Sequence, residues 1–377
     1  MHMNIYKAII PAEPEKHRKG KPKPGNATLN HAFAVKKDEF YTQYEDVCKE
    51  ILNYAEQFNG KSVLCNCDDP FESAFFRFFV LHFDELELRK LTSVCYAGSP
   101  IAGKQYPLEG GSGAYKVEVT EVPNEPLIRP DGSLELEMIL AMSGNSLNRL
   151  AGDGDFRSGE CIDLLNSSDI VATNPPFSLF REYMGQLAQY GKDFVILGNM
   201  NASTCKEVFP LFQQDQVWYG QSIRSGDRKF YVPDDYPLEA TGCGIDETGR
   251  RFIRVKGVRW FTNLDNARRH ETLALSRNFE ADRYPKYDNY DVIDVKRTLD
   301  IPADYDGIMG VPITFLDKYN PEQFELVMLA NGNARTNVDA ATLAEVGYFP
   351  QKDDKGGVGI LNGKRVYARI FVRRRAL

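Results

Sequence analysis

The stretch that decides the fold runs from Ser168 to Phe177 and reads SDIVATNPPF. Ile170, Val171, Ala172 and Thr173 form a short apolar run of the kind buried in the middle of a sheet. Asn174-Pro175-Pro176-Phe177 then stops the strand, because two consecutive prolines fix φ and withdraw two N–H donors. Helical spacing follows from about 177 to 190, and DFVILGN (193–199) supplies another apolar strand. The same grammar recurs upstream. Tyr44, Val47, Ile51 and Tyr54/Ala55 repeat at helical spacing, SVLCN (62–66) reads as a strand, an aromatic helix is expected near 71–83, and LTSVCY (91–96) is a further strand. Alternation of this kind predicts an α/β fold, a parallel sheet with helices on both faces.

Elsewhere the pattern is looser. A β-hairpin is expected at 115–122 and 134–140, around Asp131-Gly132, with shorter strands near 216–219, 228–232 and 252–261. After about residue 265 tyrosines become frequent (Tyr284, Tyr287, Tyr290, Tyr305) and helical periodicity fades. The chain finishes in GILNGKRVYARIFVRRR, where Asn362-Gly363 is a type I′ hairpin signal. Three segments are expected: a polar basic arm over 1–32, an α/β domain over 33–265, and a smaller domain over 266–377.

Composition narrows the class. The 377 residues are 42% hydrophobic and 26% charged, which excludes a disordered, collagen-like or coiled-coil chain. No run approaches the ~18 apolar residues of a membrane span. The opening MHMNIYKAIIPAEPEKHRKG lacks the plan of a secretion signal. Seven cysteines, an odd number without zinc-type spacing, point to a reduced cytoplasmic protein with no metal centre. The net charge of −7 argues against general affinity for nucleic acid, so any phosphate contact must come from local patches. Residues 266–377 hold 17 Lys+Arg against 16 Asp+Glu, and eight basic residues fall within 250–277 against Asp265 and Glu271.

A stiff corner at the carboxyl end of a parallel strand is a usual place for a ligand. The corner Asn174-Pro175-Pro176-Phe177 suits one demanding reaction, alkylation of a planar exocyclic amine. The N6 lone pair of adenine is delocalised into the ring and nucleophilically poor. An Asn oxygen and a proline carbonyl can accept both amino hydrogens and free that lone pair to attack a methyl sulfonium in line, by positioning and electrostatics alone. Phe177 would stack on a base taken out of its duplex. Cytosine N4, an RNA base and a glutamine amide also offer planar amines, and a DNA-binding protein that keeps the scaffold without turnover is a further reading. The bland reading of the corner is a proline-stiffened helix start with Phe177 in the core.

The segments KDEFYT (37–42), CNCDDPFES (65–73), GDGDFRS (152–158), ATNPPFSLFREY (172–183) and VRWFTNL (258–264) follow one another in order. With YPKYDNYD (284–291), DYDGIMGVPITFLDKYNPEQFE (304–325) and NGKRVYAR (362–369), they resemble the EcoRI-type adenine-specific DNA methylase family from about residue 33 to 374. The resemblance implies a class I (Rossmann-like) methyltransferase sheet followed by a target-recognition domain. It also implies S-adenosyl-L-methionine as methyl donor, N6 of a flipped adenine in double-stranded DNA as acceptor, and a cognate restriction endonuclease as partner. No dimerisation helix is evident, which favours a monomer. The family's cofactor segment matches Phe40-Tyr41-Thr42. Its first cofactor loop matches Asn66, Asp68, Asp69 and Pro70, where an acid meets the methionine ammonium; Asp155 and Phe156 would hold the cofactor's adenine. The first loop lacks the usual glycines, and the second strand ends at Cys95-Tyr96 without an acid for the ribose, so Tyr96 or Asp68 would substitute. Against this stand plainer roles: Asp68 and Asp69 as helix caps, Asp155 as a solvated loop acid, Cys65 and Cys67 as packing residues.

Two basic regions are candidates for DNA. Period-2 alternation places Arg365, Tyr367, Arg369, Phe371 and Arg373 on one face of the last strand, interleaving guanidinium groups with rings. Arg254, Arg259, Arg268 and Arg269 form the second region. The bland alternative is a solvated basic face with snorkelling stems.

Overall fold

The strands Ser62–Cys65 (β1) and Ile170–Thr173 (β5) are buried at every residue, and the rest of the architecture is arranged around them. The computed structural model describes residues 40–99, 113–130, 132–238 and 242–375, so the expected arm over 1–32 lies outside the described residues. The other strands of the first half are Lys90–Cys95 (β2), Tyr115–Val119 (β3), Ser146–Arg149 (β4), Asp193–Asn199 (β6) and Trp218–Tyr219 (β7). Next come Asp227–Tyr231 (β8), Gly244–Ile245 (β9), Arg251–Lys256 (β10) and Val258–Thr262 (β11). An eight-stranded sheet has the order β4-β3-β2-β1-β5-β6-β11-β7. The pairs β1–β2, β1–β5 and β5–β6 are parallel, while β2–β3, β3–β4, β6–β11 and β11–β7 are antiparallel.

Successive residues of the central strands enter opposite cores. Val63, Cys65, Ile170, Ala172, Val195 and Leu197 join one cluster; Leu64, Val171, Phe194 and Ile196 join the other. Helices α1 (Tyr44–Ile51) and α2 (Ala74–Leu81) cover the first face, α3 (Gly159–Ser167) and α4 (Phe180–Gln189) the second. Burial on both faces is why these strands read as unbroken apolar runs, each large side chain contributing roughly 1.5–3 kcal/mol. Ser73 caps α2, its hydroxyl accepting from the N–H groups of Phe75 and Phe76 at 3.1 Å. From β1 the chain steps outward to β2 on one side, and β5 lies on the other. The loops after β1 and β5 therefore meet at the point where the strand order reverses, the usual ligand crevice of such sheets.

Two expected elements take other forms. The hairpin at 115–122 and 134–140 is replaced by antiparallel pairing of β3 with β2 and β4. A turn through Gly132 (φ 84°) closes only the Ile128–Leu134 bridge, and Leu136–Leu140 is a short helix burying Leu136 and Ile139. Their i, i+3 spacing outweighs the alternation of Leu134, Leu136 and Met138; Asp131 lies outside the described residues. At the chain's end, Ile293–Asp294 (β12), Met309–Pro312 (β13), Phe324–Ala330 (β14) and Arg369–Arg374 (β17) form a sheet ordered β12-β13-β17-β14. Asn362 (φ 51°) and Gly363 (φ 70°) make the expected corner, but it joins only Ile360–Leu361 (β15) to Lys364–Arg365 (β16). The last strand is not an exposed face. Clamped between β13 and β14, β17 buries Ile370, Phe371 and Val372. The second core runs without interruption from Phe261 and Phe212 into Met309, Val311, Phe324 and Val372.

Candidate active site

Thr173, the last residue of β5, and Asn174 are tied to the loop after β1. The Thr173 hydroxyl and the Asn174 N–H both donate to the Asp68 carboxylate, and Ser73 donates to it from 2.8 Å. The Ser93 hydroxyl of β2 donates to the Asp68 carbonyl at 2.5 Å. Burial pushes the Asp68 carboxyl up to about 6 against the pull of these donors. Asp68 is thus a buried clamp between the two crevice loops.

The Asn174 side chain has one end fixed and one end open. Its Nδ2 donates to the Phe40 carbonyl at 2.6 Å, while Oδ1 is buried with no hydrogen-bond partner. Pro175 is buried, and the Pro176 carbonyl accepts from Leu179 N–H at 2.9 Å, which starts the turn into α4. Asn174 and Pro176 are half-buried and Ser178 is exposed, so the corner reaches the surface. Phe177 is 7% exposed, edge-on to Phe40 (5.6 Å between centroids) and to Phe230 (6.2 Å). The Phe177 ring packs as the bland reading expects, while the Asn174 amide oxygen is left without a partner.

Phe40, Tyr41 and Thr42 run beside this corner. Tyr41 pairs with Tyr231 as an isolated antiparallel bridge (2.9 and 3.0 Å), Phe40 is buried, and Thr42 Oγ1 and Gln43 Nε2 are buried without partners. In the first loop, Asn66 is 2% exposed. Its Oδ1 accepts from the Tyr183 hydroxyl, and its Nδ2 is unpartnered. Pro70 is buried. Asp69, expected at the methionine ammonium or as a helix cap, accepts from the Tyr115 hydroxyl and, at 2.8 Å, from Phe71 N–H; it closes the turn that precedes α2, whose cap is Ser73. Asp155 likewise is occupied: Arg157 grips it with Nε (2.8 Å) and Nη2 (2.6 Å), holding its carboxyl below the ordinary range, and also reaches Glu182. Phe156 is buried, edge-on to Tyr183 at 5.0 Å, and its carbonyl accepts from Gln186 Nε2 at 3.0 Å. Gln186 Oε1 is buried without a partner. Gly154 (φ 78°) lets this loop lie on the end of β2, where a Cβ would stand 2.9 Å from the Cys95 carbonyl. Tyr96, just beyond that end, is 41% exposed.

Sequence reading missed Tyr183 and Gln186. They lie at i, i+3 on the inner face of α4; Tyr183 ends a segment whose resemblance was noted without a role for it, and Gln186 falls three residues beyond that segment. Phe230 and Tyr115 carried no local signal.

The basic candidates divide. Arg259 and Arg268 are withdrawn from DNA contact: they are 4% and 5% exposed and both ion-pair with Asp317, at 2.7 and 3.0 Å. The reason is position: Arg259 is on β11, inside the sheet, and Arg268 lies on the short 3-10 turn Ala267–His270 that follows, turned onto Asp317. Arg269 lies on the Trp218 ring at 3.5 Å and pairs with Asp215. Arg369 pairs with Asp294, and Arg373 with Glu325 and Glu345, while Phe371 is fully buried, so the interleaved face expected on the last strand does not exist. Arg365 and Arg254 are exposed, although Arg254 pairs with Asp227 at 3.1 Å. All seven cysteines are free, and Cys65 is fully buried. Among the described residues no helix is long and apolar enough to cross a membrane.

A mixed sheet with helices on both faces, and an Asn-Pro-Pro-Phe corner at its switch point, defines the class of amino-methyltransferases. The chain belongs to the family described as the adenine-specific methyltransferase EcoRI, which matches residues 28–375. It is 42% identical to the Type II methyltransferase M.EcoRI of Escherichia coli over 354 residues, 93% of this chain and 98% of that protein. It is 36% identical to the Type II methyltransferase M.MpnI of Mycoplasma pneumoniae (92% and 98% covered) and 34% identical to M.MgeORF184P of Mycoplasma genitalium (93% and 99%). No solved structure matches the chain.

Proposed function

We propose that the corner 174–177 holds the exocyclic amine of an extruded adenine for N6 methylation, the activity of an adenine-specific DNA methyltransferase. The observation that carries this reading is the Asn174 amide. A buried oxygen left without a partner costs about 1–3 kcal/mol, a cost that makes sense where a substrate hydrogen will occupy it. Because Nδ2 is spent on the Phe40 carbonyl, the amide is held in one orientation, with Oδ1 as the acceptor left for a substrate hydrogen. The Pro176 carbonyl is committed to Leu179, which leaves the Pro175 carbonyl as the second acceptor. Two acceptors on the two amine hydrogens concentrate the nitrogen lone pair outward, and the proton displaced after transfer leaves to solvent, with no strong base required. Phe177, held edgewise by two rings, is the apolar wall against which the base rests.

S-adenosyl-L-methionine, when bound, supplies an electrophilic methyl on its sulfonium. The residues present fit such a molecule: Thr42 Oγ1, Gln43 Nε2, Asn66 Nδ2 and Gln186 Oε1 are buried polar atoms awaiting partners. Asn66 and Thr42 would bind the amino-acid end, and Gln186, beside Phe156, takes the role of adenine acceptor that Asp155 has given to Arg157. Tyr96 is left as the group for the ribose. Residues from 266 onward serve target recognition, and the enzyme works as a cytoplasmic monomer that shields sites from a cognate restriction endonuclease.

The test is Asn174→Ala with radiolabelled cofactor and duplex DNA. Loss of one positioned acceptor lowers turnover by about 100-fold or more. Activity within threefold of the unaltered enzyme would contradict the mechanism.

A further inference from the structure

The small sheet β9-β10-β8 lies directly against the corner, and its two faces differ. The pairing register sets Phe230 opposite Ile253 on one face, and Tyr231 opposite Phe252, Lys229 opposite Arg254 and Asp227 opposite Lys256 on the other. Phe230, Ile253 and Val255 are buried in the first core, with Phe230 against Phe40 and Phe177. Arg254 and Lys256 are exposed. The outer face continues through the Tyr41–Tyr231 bridge to the residue next to Phe40, whose carbonyl holds Asn174.

The outer face is built to hold cations up. Arg250 lies over the Tyr231 ring with its guanidinium carbon 3.8 Å from the centroid, and Lys229 lies 4.6 Å from the same ring and 4.7 Å from that of Phe252. Asp246 fixes the turn that delivers Arg250, accepting from Thr248 N–H (3.0 Å) and Arg250 N–H (3.1 Å) while also pairing with Lys229 (3.0 Å). A ring attracts a cation without cancelling its charge, unlike a carboxylate. Lys229, Arg250, Arg254 and Lys256 share the face with two acids, Asp227 and Asp246, and Glu72 stands 3.9 Å from Arg250. With Tyr231 covered by Arg250, these rings are supports for cations rather than stacking platforms for bases. On a molecule of net charge −7, four cations against these three acids leave an excess of one positive charge beside the crevice, and the long contact from Arg250 to Glu72 is one that a phosphate can displace.

We propose that the outer face of this sheet, through Lys229, Arg250, Arg254 and Lys256, grips the DNA backbone flanking the extruded adenine. Drawing a base out of its stack needs the neighbouring phosphates held close to the pocket, and a planar guanidinium pre-set on a ring matches a phosphate by two parallel hydrogen bonds. The inference rests on the reading of the chain as an enzyme acting on duplex DNA.

The test is fluorescence anisotropy with a labelled duplex of random sequence over a series of salt concentrations. The unaltered protein is compared with R254A/K256A and, as a second variant on an exposed turn, Arg250→Gln. Each phosphate contact contributes about 0.9 to the slope of log affinity against log salt. The double variant is expected to bind at least about tenfold more weakly with a slope smaller by about two, and Arg250→Gln to lose about one. Cofactor affinity by calorimetry stays the same in both if they are folded. Unchanged slopes in both variants would overturn the proposal, as would an equal change in K352A/K355A, whose lysines are exposed elsewhere. Failure of the unaltered protein to bind duplex DNA would instead overturn the functional reading beneath it.

Discussion

At the scale of single residues, Asp68 carries the sharpest consequence. Its carboxylate accepts from Thr173, Ser73 and the Asn174 N–H, and so sets where the loop after β5, proposed to grip the amine, stands relative to the loop after β1, proposed to hold the cofactor. Its pKa rises from an ordinary 3.8 to about 6 on folding. Between those values the native state keeps a proton that the unfolded chain has lost, so this group's contribution to stability falls as pH rises through the window, by roughly 3 kcal/mol in all. Function asks for the opposite, since only the ionised form accepts from every donor at once. Turnover is expected to fall below about pH 6, and Asp68→Asn to lower kcat by about tenfold or more while flattening that acid limb. The pH profile of kcat checks this; an unaltered limb in the variant assigns the ionisation to another group. The place of the Asn-Pro-Pro-Phe corner between a buried strand and a helix was legible from sequence because its geometry is local. The partners of the nearby acids were not equally so: Tyr115 reaches Asp69 from 46 positions away, whereas Arg157 is two residues from Asp155 and its spacing could have been read.

At the scale of elements, α4 does more than close the sheet. Tyr183 and Gln186 lie one turn apart on its buried face, one holding Asn66 Oδ1 and the other the Phe156 carbonyl. The helix thereby aligns both ends of the expected cofactor crevice. Tyr183→Phe keeps the ring against Phe156 but leaves Asn66 Oδ1 only the weak Cys67 thiol donor at 3.9 Å, and a buried acceptor so depleted is worth about 1–3 kcal/mol. Such a loss reads as roughly a tenfold rise in the cofactor KM, with kcat within about threefold. A fall in melting temperature at constant KM would reduce the helix to a packing role. Elements buried on both faces, such as β1 and β5, were readable because every residue had to be apolar. The strand β17 obeys the same rule, yet its six arginine and lysine neighbours from 364 onward disguised it as a surface ribbon. Its hydrogen-bonding partners, β13 and β14, lie tens of residues upstream, and no local pattern announces them. The segment 134–140 failed for a different reason, because its leucines satisfy both a strand's alternation and a helical stripe.

At the scale of the whole molecule, the basic stretch 250–277 shows why a charge count cannot separate a surface from a seam. Arg254 stays outside, whereas Arg259 of β11 and Arg268 both turn inward onto Asp317, between β13 and β14. Arg259 gives Asp317 two hydrogen bonds, at 2.7 and 2.9 Å; Arg268 adds 3.0 Å to the carboxylate and 2.6 and 3.0 Å to the Asp317 carbonyl. Two guanidinium groups on one carboxylate leave an excess positive charge, which the carbonyls of Gly220, Arg224 and Val258 help to neutralise. The clasp joins the large sheet to the C-terminal sheet along the edge of the shared core. Removing its acid strands two buried cations, a change that costs about 3–5 kcal/mol for a buried pair broken on one side. Asp317→Asn is therefore expected to lower the free energy of urea unfolding by that order while leaving the salt dependence of DNA affinity as it was, because neither arginine reaches solvent. A stability change under about 1 kcal/mol would mean that the pair behaves like a surface contact. A loss of salt dependence without loss of stability would return Arg259 and Arg268 to the phosphate-binding role that their clustering in the sequence first suggested.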